Sequence, residues 1–444
     1  MLNAFKNMLK VKDLRTKLFY TLALIALVRL IQNIPLPGID LVKLQNLMQQ
    51  SADAGGRGLL DTFNLFSGGA LSRFAIGVLG IMPYITASIV MQLMTPIIPQ
   101  LEKLQKESDQ GRQKIQQYTR YMAILICIVQ GAALAGTLQT DQFAGVVLLP
   151  STFFTIMAVI CLTGAALLIM WLGEVITDKG LGNGASLIIT ISIISSMPQA
   201  VGTLYEQFQT GKTDIVKITL LVVLFFAITA ATVALVEALR KIPLKYAQRN
   251  ASGKATQIQT SYLPLKVNHA GVMPIIFAGA LMMFPGLAVQ KLDWSFLSSI
   301  SAYGEPGYIA TFAVLILGFT FFWVATQFNP IQVADDLKNS GGFIPGYRPG
   351  ESTSAFLNYT MSRITVAGAI FLTILAVTPM FLNKGLNSSF VVSQFFGGTS
   401  LLIMVGVVLQ TMQQIEVQMV QNTYEDYVDN SKLRSRSTDK TIEV

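Results

Sequence analysis

The fold class this chain predicts is a helical membrane bundle of ten spans, on three observations. Hydrophobic residues make up 52% of its 444 residues and charged residues only 13%. The apolar residues gather into long runs, most of them close to the ~20 residues a helix needs to cross the hydrocarbon core. Almost nothing ionisable lies inside the runs. A helix is the structure that satisfies its own backbone hydrogen bonds where water is absent. The runs lie near 18–34, 74–98, 121–138, 151–172, 185–204, 215–236, 271–290, 308–328, 364–382 and 396–415. They predict an all-α integral membrane protein, not a soluble enzyme.

Taken in order, the chain opens on a polar, basic segment, 1–17, and its first apolar run is long and lacks a small-residue cleavage site, so no cleaved signal peptide is expected. The first span carries Arg29 near its outer end, where a long side chain can snorkel or meet a buried partner. Residues 55–73, GGRGLLDTFNLFSGGALSR, are too short to span and are bracketed by glycines. They read either as a re-entrant half-helix hinged at Gly68 and Gly69, or as a loop helix on the surface. The second span holds Pro83 and Pro96, with Thr86, Ser88 and Gln92 beside Ile81, Ile85 and Ile89. The seventh holds Pro274 and Pro285 and starts beside Asn268. Proline frees backbone groups that neighbours must satisfy, and such helices line cavities or move. Polar side chains there can bond across a helix interface for ~1 kcal/mol, as a latch or simply as glue. Cys127 and Cys161 sit inside apolar runs and read as buried small hydrophobes. The connection 329–363 is rich in Gly and Pro, and its tight turn presents Arg348 for docking or merely to solvent.

Lys and Arg concentrate in alternate connections: 1–17, 103–120, Lys179, 240–266, 338–363 and the tail after 430. Positive residues stay cytoplasmic, so both termini are expected inside, which requires an even number of spans. The net charge of +8 is thus a topology signal first. It calls for no specific DNA partner, although a basic cytoplasmic face could meet an RNA-rich or acidic one.

Chemistry needs titratable groups, and the only histidine is His269. A zinc site or histidine relay is nearly excluded, and no metal or cofactor is expected. A secondary transporter of a small solute is the alternative function, but it would carry an ion-coupling residue near the midplane. Glu174, Glu237 and Glu416 fall instead near cytoplasmic ends. An intramembrane enzyme would need a catalytic constellation that the spans lack. What remains is a protein that passes something passively or is driven by a partner.

Six strings make the reading specific: NIPLPGID (33–40), LSRFAIGVLGIMPYITASIVMQL (71–93), GLGNGASLII (180–189), LPLKVNHAGVMPIIFA (263–278), FNPIQVADDLKNSGGFIPGYRPGES (328–352) and FGGTSLLIMVGVVLQTMQQIE (396–416). In collinear order from about residue 10 to 430, the chain resembles the SecY family, the channel subunits of bacterial and plastid protein translocases. The resemblance implies two pseudosymmetric five-helix halves around a central pore. The first half, 18–204, would hold spans one to five and a plug at 58–70 (Leu59, Leu60, Asp61, Thr62, Phe63, Asn64, Leu65 and Phe66). The second, 205–416, would hold spans six to ten and the cytoplasmic loops 240–268 and 329–363, followed by a cytoplasmic tail, 417–444.

The resemblance further implies a pore ring of Ile81, Ile85, Ile189, Ile276 and Ile403, with Ala185 where a larger apolar residue is common. It implies a lateral gate with Thr86, Ile89, Gln92 and Asn268, and contacts through Arg348 and Arg249 to SecA or the ribosome. SecE and SecG would complete a heterotrimer. Unfolded preproteins with signal sequences would be the cargo, lipid the destination of apolar segments, and the bacterial inner membrane the location. No catalytic residue is implied.

Overall fold

The computed structural model describes residues 12–44, 47, 64, 67–107, 109–140, 143, 145–211, 214–246, 260–289, 300, 304–386, 392–393, 395 and 397–438. The helices in chain order are α1 (Lys12–Asn33), α2 (Met82–Met94), α3 (Pro99–Glu107), α4 (Asp109–Thr137), α5 (Ser151–Lys179), α6 (Gly184–Ser195), α7 (Met197–Gln209) and α8 (Ile215–Glu237). They continue as α9 (Met273–Val289), α10 (Pro306–Gln327), α11 (Pro330–Asn339), α12 (Glu351–Leu386) and α13 (Gly398–Thr438).

Among the described residues, seven helical stretches are long and apolar enough to cross a membrane, or eight if α2 and α3, bent by 104° at a short break, form one broken span. Ten spans were expected. The two shortfalls have separate causes. Helix α1 is long enough, but Lys17, Arg29, Gln32 and Asn33 dilute its apolar run. Helix α9 is 17 residues long, shorter than a full span. Away from their packed sides the helices stay apolar: Leu22, Ile160, Val223, Phe226 and Val314 are exposed. In water such a surface would aggregate, whereas lipid solvates it.

The second span differs most from its expectation of 74–98. Residues 71–73 form a 3-10 turn, Gly80 turns the chain in the left-handed region at φ +56°, and Ile81 is the cap residue of α2. Pro83 therefore opens the helix. It does not interrupt one, because its missing N–H is harmless in the first turn.

A second correction concerns the all-α expectation. The connection after α8 contains strands β1 (Leu239–Tyr246) and β2 (Thr260–Lys266), paired antiparallel with Ile242 opposite Leu263. Strand β3 (Gly342–Phe343) adds to the other edge of β1 through Lys245 and Tyr246, giving the order β2-β1-β3. Along β1 the pleat turns Ile242 and Leu244 inward, with Arg240 and Lys241 exposed. These inward residues pack with Leu265, Ala270, Val324, Leu337, Ile344, Leu357 and Met361.

Most helix pairings stay within α1–α7 or within α8–α13: α4 with α5, α2 with α4, α5 with α6, and α9 with α10, α10 with α12, α8 with α13. Among the described residues, the pairings α6 with α13 and α2 with α9 bridge the groups. One apolar cluster lies between them, containing Leu24, Val28, Ile169, Leu172, Ile188, Phe277 and Val407.

Candidate functional site: five isoleucines lining a partly polar cavity

That central cluster is where the five predicted isoleucines meet. Ile81, Ile85, Ile189, Ile276 and Ile403 are between 1% and 8% exposed and belong to one packed group. All five also line a single cavity of about 240 Å³, whose walls otherwise include Tyr84, Ser88, Gln92, Gln116, Glu174, Thr177 and Asn183. A cavity lining of mixed apolar and polar side chains is thus built from both helix groups.

Each isoleucine lies in or just before the opening turns of a helix, and two short repeats put it there. GIMPYI (80–85) and GVMPII (271–276) carry Gly, Met, Pro and Ile at matching offsets. In both copies the glycine is left-handed, at φ +56° for Gly80 and +63° for Gly271. Met and Pro then start α2 and α9, with Ile85 and Ile276 fourth in their helices. Likewise GASLII (184–189) and GTSLLI (398–403) start α6 and α13, with Ile189 and Ile403 sixth. The sequence reading missed this internal duplication. Its signal is the pair of strings, too short to stand out until the fold sets them at one site.

Helix α6 is located by a close backbone approach. Its cap is Asn183, whose side-chain oxygen accepts from the Ser186 N–H at 3.1 Å. The Gly184 N–H donates to Thr177 Oγ1 at 2.9 Å, and the Thr177 hydroxyl donates to the Gly173 carbonyl at 3.0 Å. A Cβ on Gly184 would lie 1.9 Å from that carbonyl oxygen, so no other residue fits there without a backbone shift. A Cβ on Gly173 would lie 3.1 Å from Ile81 Cδ1 and 3.3 Å from Ile188 Cδ1. The bare surface of Gly173 therefore receives Ile81 and Ile188. This contact packs the neighbourhood of Ala185, where a larger side chain was expected.

The predicted gate residues Thr86 and Gln92 lie on α2 and spend their hydrogen bonds within that helix, and Asn268 lies just ahead of α9. The Thr86 hydroxyl donates to the Met82 carbonyl at 3.0 Å, within its own helix. Gln92 Nε2 donates to Ser88 Oγ at 3.2 Å, again along α2. Asn268 is 8% exposed, and its Oδ1 finds no partner among the described residues. Ile89 joins the apolar cluster. Ile89 shares that cluster with Ile276 and Phe277 of α9, so α2 and α9 meet there through apolar side chains. Next to Asn268 in the chain, His269 lies edge-on to Phe328 at 6.1 Å. Burial, with Lys266 adding to it, holds its pKa below the ordinary value.

On the cavity wall the sequence reading also missed a paired charge. Arg120 on α4 meets Glu174 on α5 with both ends of its fork, at 3.0 and 2.9 Å. Glu174 does lie near the end of its span, as read, but as half of an ion pair.

Arg348 is exposed on the turn between β3 and α12, with no ion-pair partner among the described residues. The turn itself is braced: Tyr347 stacks on Phe356 at 4.2 Å, and the Thr353 hydroxyl donates to the Arg348 carbonyl at 2.9 Å. Of the predicted plug residues only Asn64 is described; its amide spans to Ser72, donating to Ser72 Oγ at 2.9 Å and accepting from its N–H at 3.1 Å. Leu59, Leu60, Asp61, Thr62, Phe63, Leu65 and Phe66 lie outside the described residues, as does Arg249. Among the described residues no group of His, Cys, Asp and Glu could hold a metal ion.

Comparison with known proteins agrees with this architecture. The SecY family profile matches residues 75–412. The protein translocase subunit SecY of Streptomyces galbus is 41% identical, covering 96% of this chain and all of its own length. That of Escherichia coli K12 is 38% identical, covering 95% of each chain. Among solved structures, one described as "The structure of a protein conducting channel" aligns with a TM-score of 0.60 at 19% identity, over 91% of this chain and 92% of the other. Another, "Sec61 in the Canine ribosome-channel complex from the endoplasmic reticulum", aligns at 0.59 with 17% identity, over 91% and 92%. The fold, the profile match and near-complete alignment to relatives of this identity lead to one conclusion: the chain belongs to the SecY family, which comprises protein-translocation channels and not enzymes.

Proposed function

We propose that this chain conducts unfolded preproteins through the isoleucine constriction and releases their apolar segments sideways between α2 and α9. The observation that carries the reading is the convergence of five isoleucines, from helices of both groups, on the lining of one cavity. An apolar constriction dewets and blocks ions without using charge. Branched side chains can part around an extended chain of any sequence, because no hydrogen bonds have to be exchanged.

Sorting then follows from partition. At an opened α2–α9 seam, a Leu-like residue gains about 0.3–0.6 kcal/mol on entering the bilayer centre, whereas a charged one loses about 3. About twenty apolar residues in a row leave sideways, and polar chains continue through. Driving force must come from outside the channel, from SecA or a ribosome docked on the cytoplasmic loops. The exposed Arg348 on a braced turn suits such docking.

Ten spans in two related halves fit the paired strings GIMPYI/GVMPII and GASLII/GTSLLI, one copy of each in either helix group. In this arrangement α1 and α9 cross as well, 58–70 serves as the plug, and both termini face the cytoplasm of a bacterium, a reading supported by the basic residues of alternate connections. SecE and SecG complete the complex.

The test is reconstitution of the chain with SecE and SecG in liposomes, with SecA, ATP and a signal-bearing preprotein. Protease protection that depends on ATP and falls at least about tenfold on Arg348→Glu is expected, the loss of a charge-assisted contact being worth that much. A folded, SecA-binding complex that protects no preprotein would return the solute transporter to consideration.

A further inference from the structure

Arg29 is a charged residue inside a membrane bundle, and it is neither snorkelled nor idle. Its side chain is half-buried at the C-terminal end of α1, and each arm of its fork is engaged. Nη1 donates to Gln32 Oε1 at 2.8 Å, and Nη2 donates to the Ile191 carbonyl at 2.6 Å. Ile191 stands two residues beyond Ile189 on α6, near the end of that helix, where the carbonyl dipoles favour a cation. On its other side the guanidinium touches the turn that precedes the second span. A Cβ on Gly68 would lie 2.3 Å from Nη1 and 3.1 Å from both Cζ and Nη2. Gly68 is left-handed at φ +68°, so the turn shape and the missing side chain together seat this stretch of backbone directly on the guanidinium.

The surroundings hold the arrangement. Gln32 is 3% exposed, and its Nε2 has no partner among the described residues, so its amide serves Arg29 at the cost of an orphaned donor. Asn33 Nδ2 donates to the Arg29 carbonyl at 2.8 Å, and Arg73 donates to the Asn33 side-chain oxygen. A cation in the bilayer is expensive, and those that persist are paired and functional.

We propose that Arg29 is a positioning residue of the constriction, a fastener that ties α1 and the Gly68 turn to the helix bearing Ile189. It holds that helix in the closed arrangement without touching the pore. The proposal rests on the reading of the five isoleucines as the pore ring. If the ring opens by displacement of α6, the bond from Nη2 to Ile191 must break, or α1 and the Gly68 turn must travel with it. Either way the turn and the ring cannot move independently while Arg29 is in place. Arginine suits this role better than lysine, since a planar fork reaches two acceptors and still presents a flat face to the glycine.

The test is the resting ion conductance of the reconstituted complex in a planar bilayer, with no preprotein, for the parent chain and for Arg29→Met, Arg29→Lys, Gly68→Ala, Ile189→Asn and the Arg29→Met/Gly68→Ala pair. Arg29→Met is expected to raise the leak by about tenfold, the worth of one hydrogen bond to a charged group. Arg29→Lys should restore part of the seal. Gly68→Ala should leak by pushing the guanidinium off Ile191, so adding it to Arg29→Met should cause no further rise. A leak from Ile189→Asn without one from Arg29→Met overturns the fastener and leaves the ring standing. Fully additive effects of the paired substitutions overturn it too. Parent-like conductance in every variant removes the ring and the fastener together. If Arg29→Met fails to assemble, Gly68→Ala alone decides, because it keeps the arginine and alters only its seat.

Discussion

Replacing Ile403 by Asn puts an amide where a 1%-exposed aliphatic side chain now lines the cavity. Two terms follow from that burial. The lost apolar burial is worth about 2 kcal/mol. An amide held there without a partner costs about another 1–3 kcal/mol. The dry, closed constriction therefore rises by about 3–5 kcal/mol relative to a hydrated one in which water reaches the amide. At ~1.4 kcal/mol per decade, the balance shifts toward the hydrated form by at least about a hundredfold. The assay is ion conductance of the resting complex, paired with translocation of a preprotein whose signal sequence has been weakened. Leak should rise steeply, and the weakened signal should suffice. Ile403→Val serves as the control, since it removes one methyl group at a cost of about 0.5–1.5 kcal/mol and adds no polarity. Parent-like leak and an undiminished need for a strong signal in Ile403→Asn, in a complex that assembles normally, would refute the constriction.

Two other substitutions probe the support of this lining. Gly184→Ala drives a methyl to 1.9 Å from the Gly173 carbonyl oxygen, and overpacking of this kind costs about 1–3 kcal/mol; thermal unfolding in detergent should begin several degrees lower, and an unchanged transition would mean that α5 and α6 do not touch there. On the proposed reading of Asn268 as a gate residue, Asn268→Leu removes an orphaned acceptor just ahead of α9, whose burial costs about 1–3 kcal/mol. The closed seam should become more stable, with slower translocation of weak-signal preproteins and a higher unfolding temperature; faster translocation would show that Asn268 has a partner when closed.

The parts of the fold that were legible in the sequence are those that lipid dictates. A long apolar run has one economical solution in a bilayer, and α4, α5, α8, α10 and α12 lie where their runs predict. What was not legible came from backbone turns and from contact between distant segments. Gly80 and Pro83 end a turn and begin a helix within four residues, and their apolar neighbours disguise the boundary as continuous span. The strand alternation at Ile242 and Leu244 is brief and embedded in basic residues, so it was read as loop. The touch between Gly173 and Gly184 leaves no periodic trace, because it depends on how two helices meet. As for the five isoleucines, none differs locally from ordinary packing residues; the resemblance singled them out, and their convergence is visible only in three dimensions.

The three-stranded sheet has a mechanical consequence. Strand β3 joins the turn bearing Arg348 to β1, and the inward face of β1 packs on Ala270, which immediately follows Asn268 and His269 at the approach to α9. The same packed group takes in Val324 near the end of α10 and Leu357 and Met361 on α12. A close-packed interior resists compression, so this block behaves as a stiff lever and not as slack loops. On the proposed docking at Arg348, a load there would reach the approach to α9 through this packed block, and the bulk of the partner would stay outside the membrane.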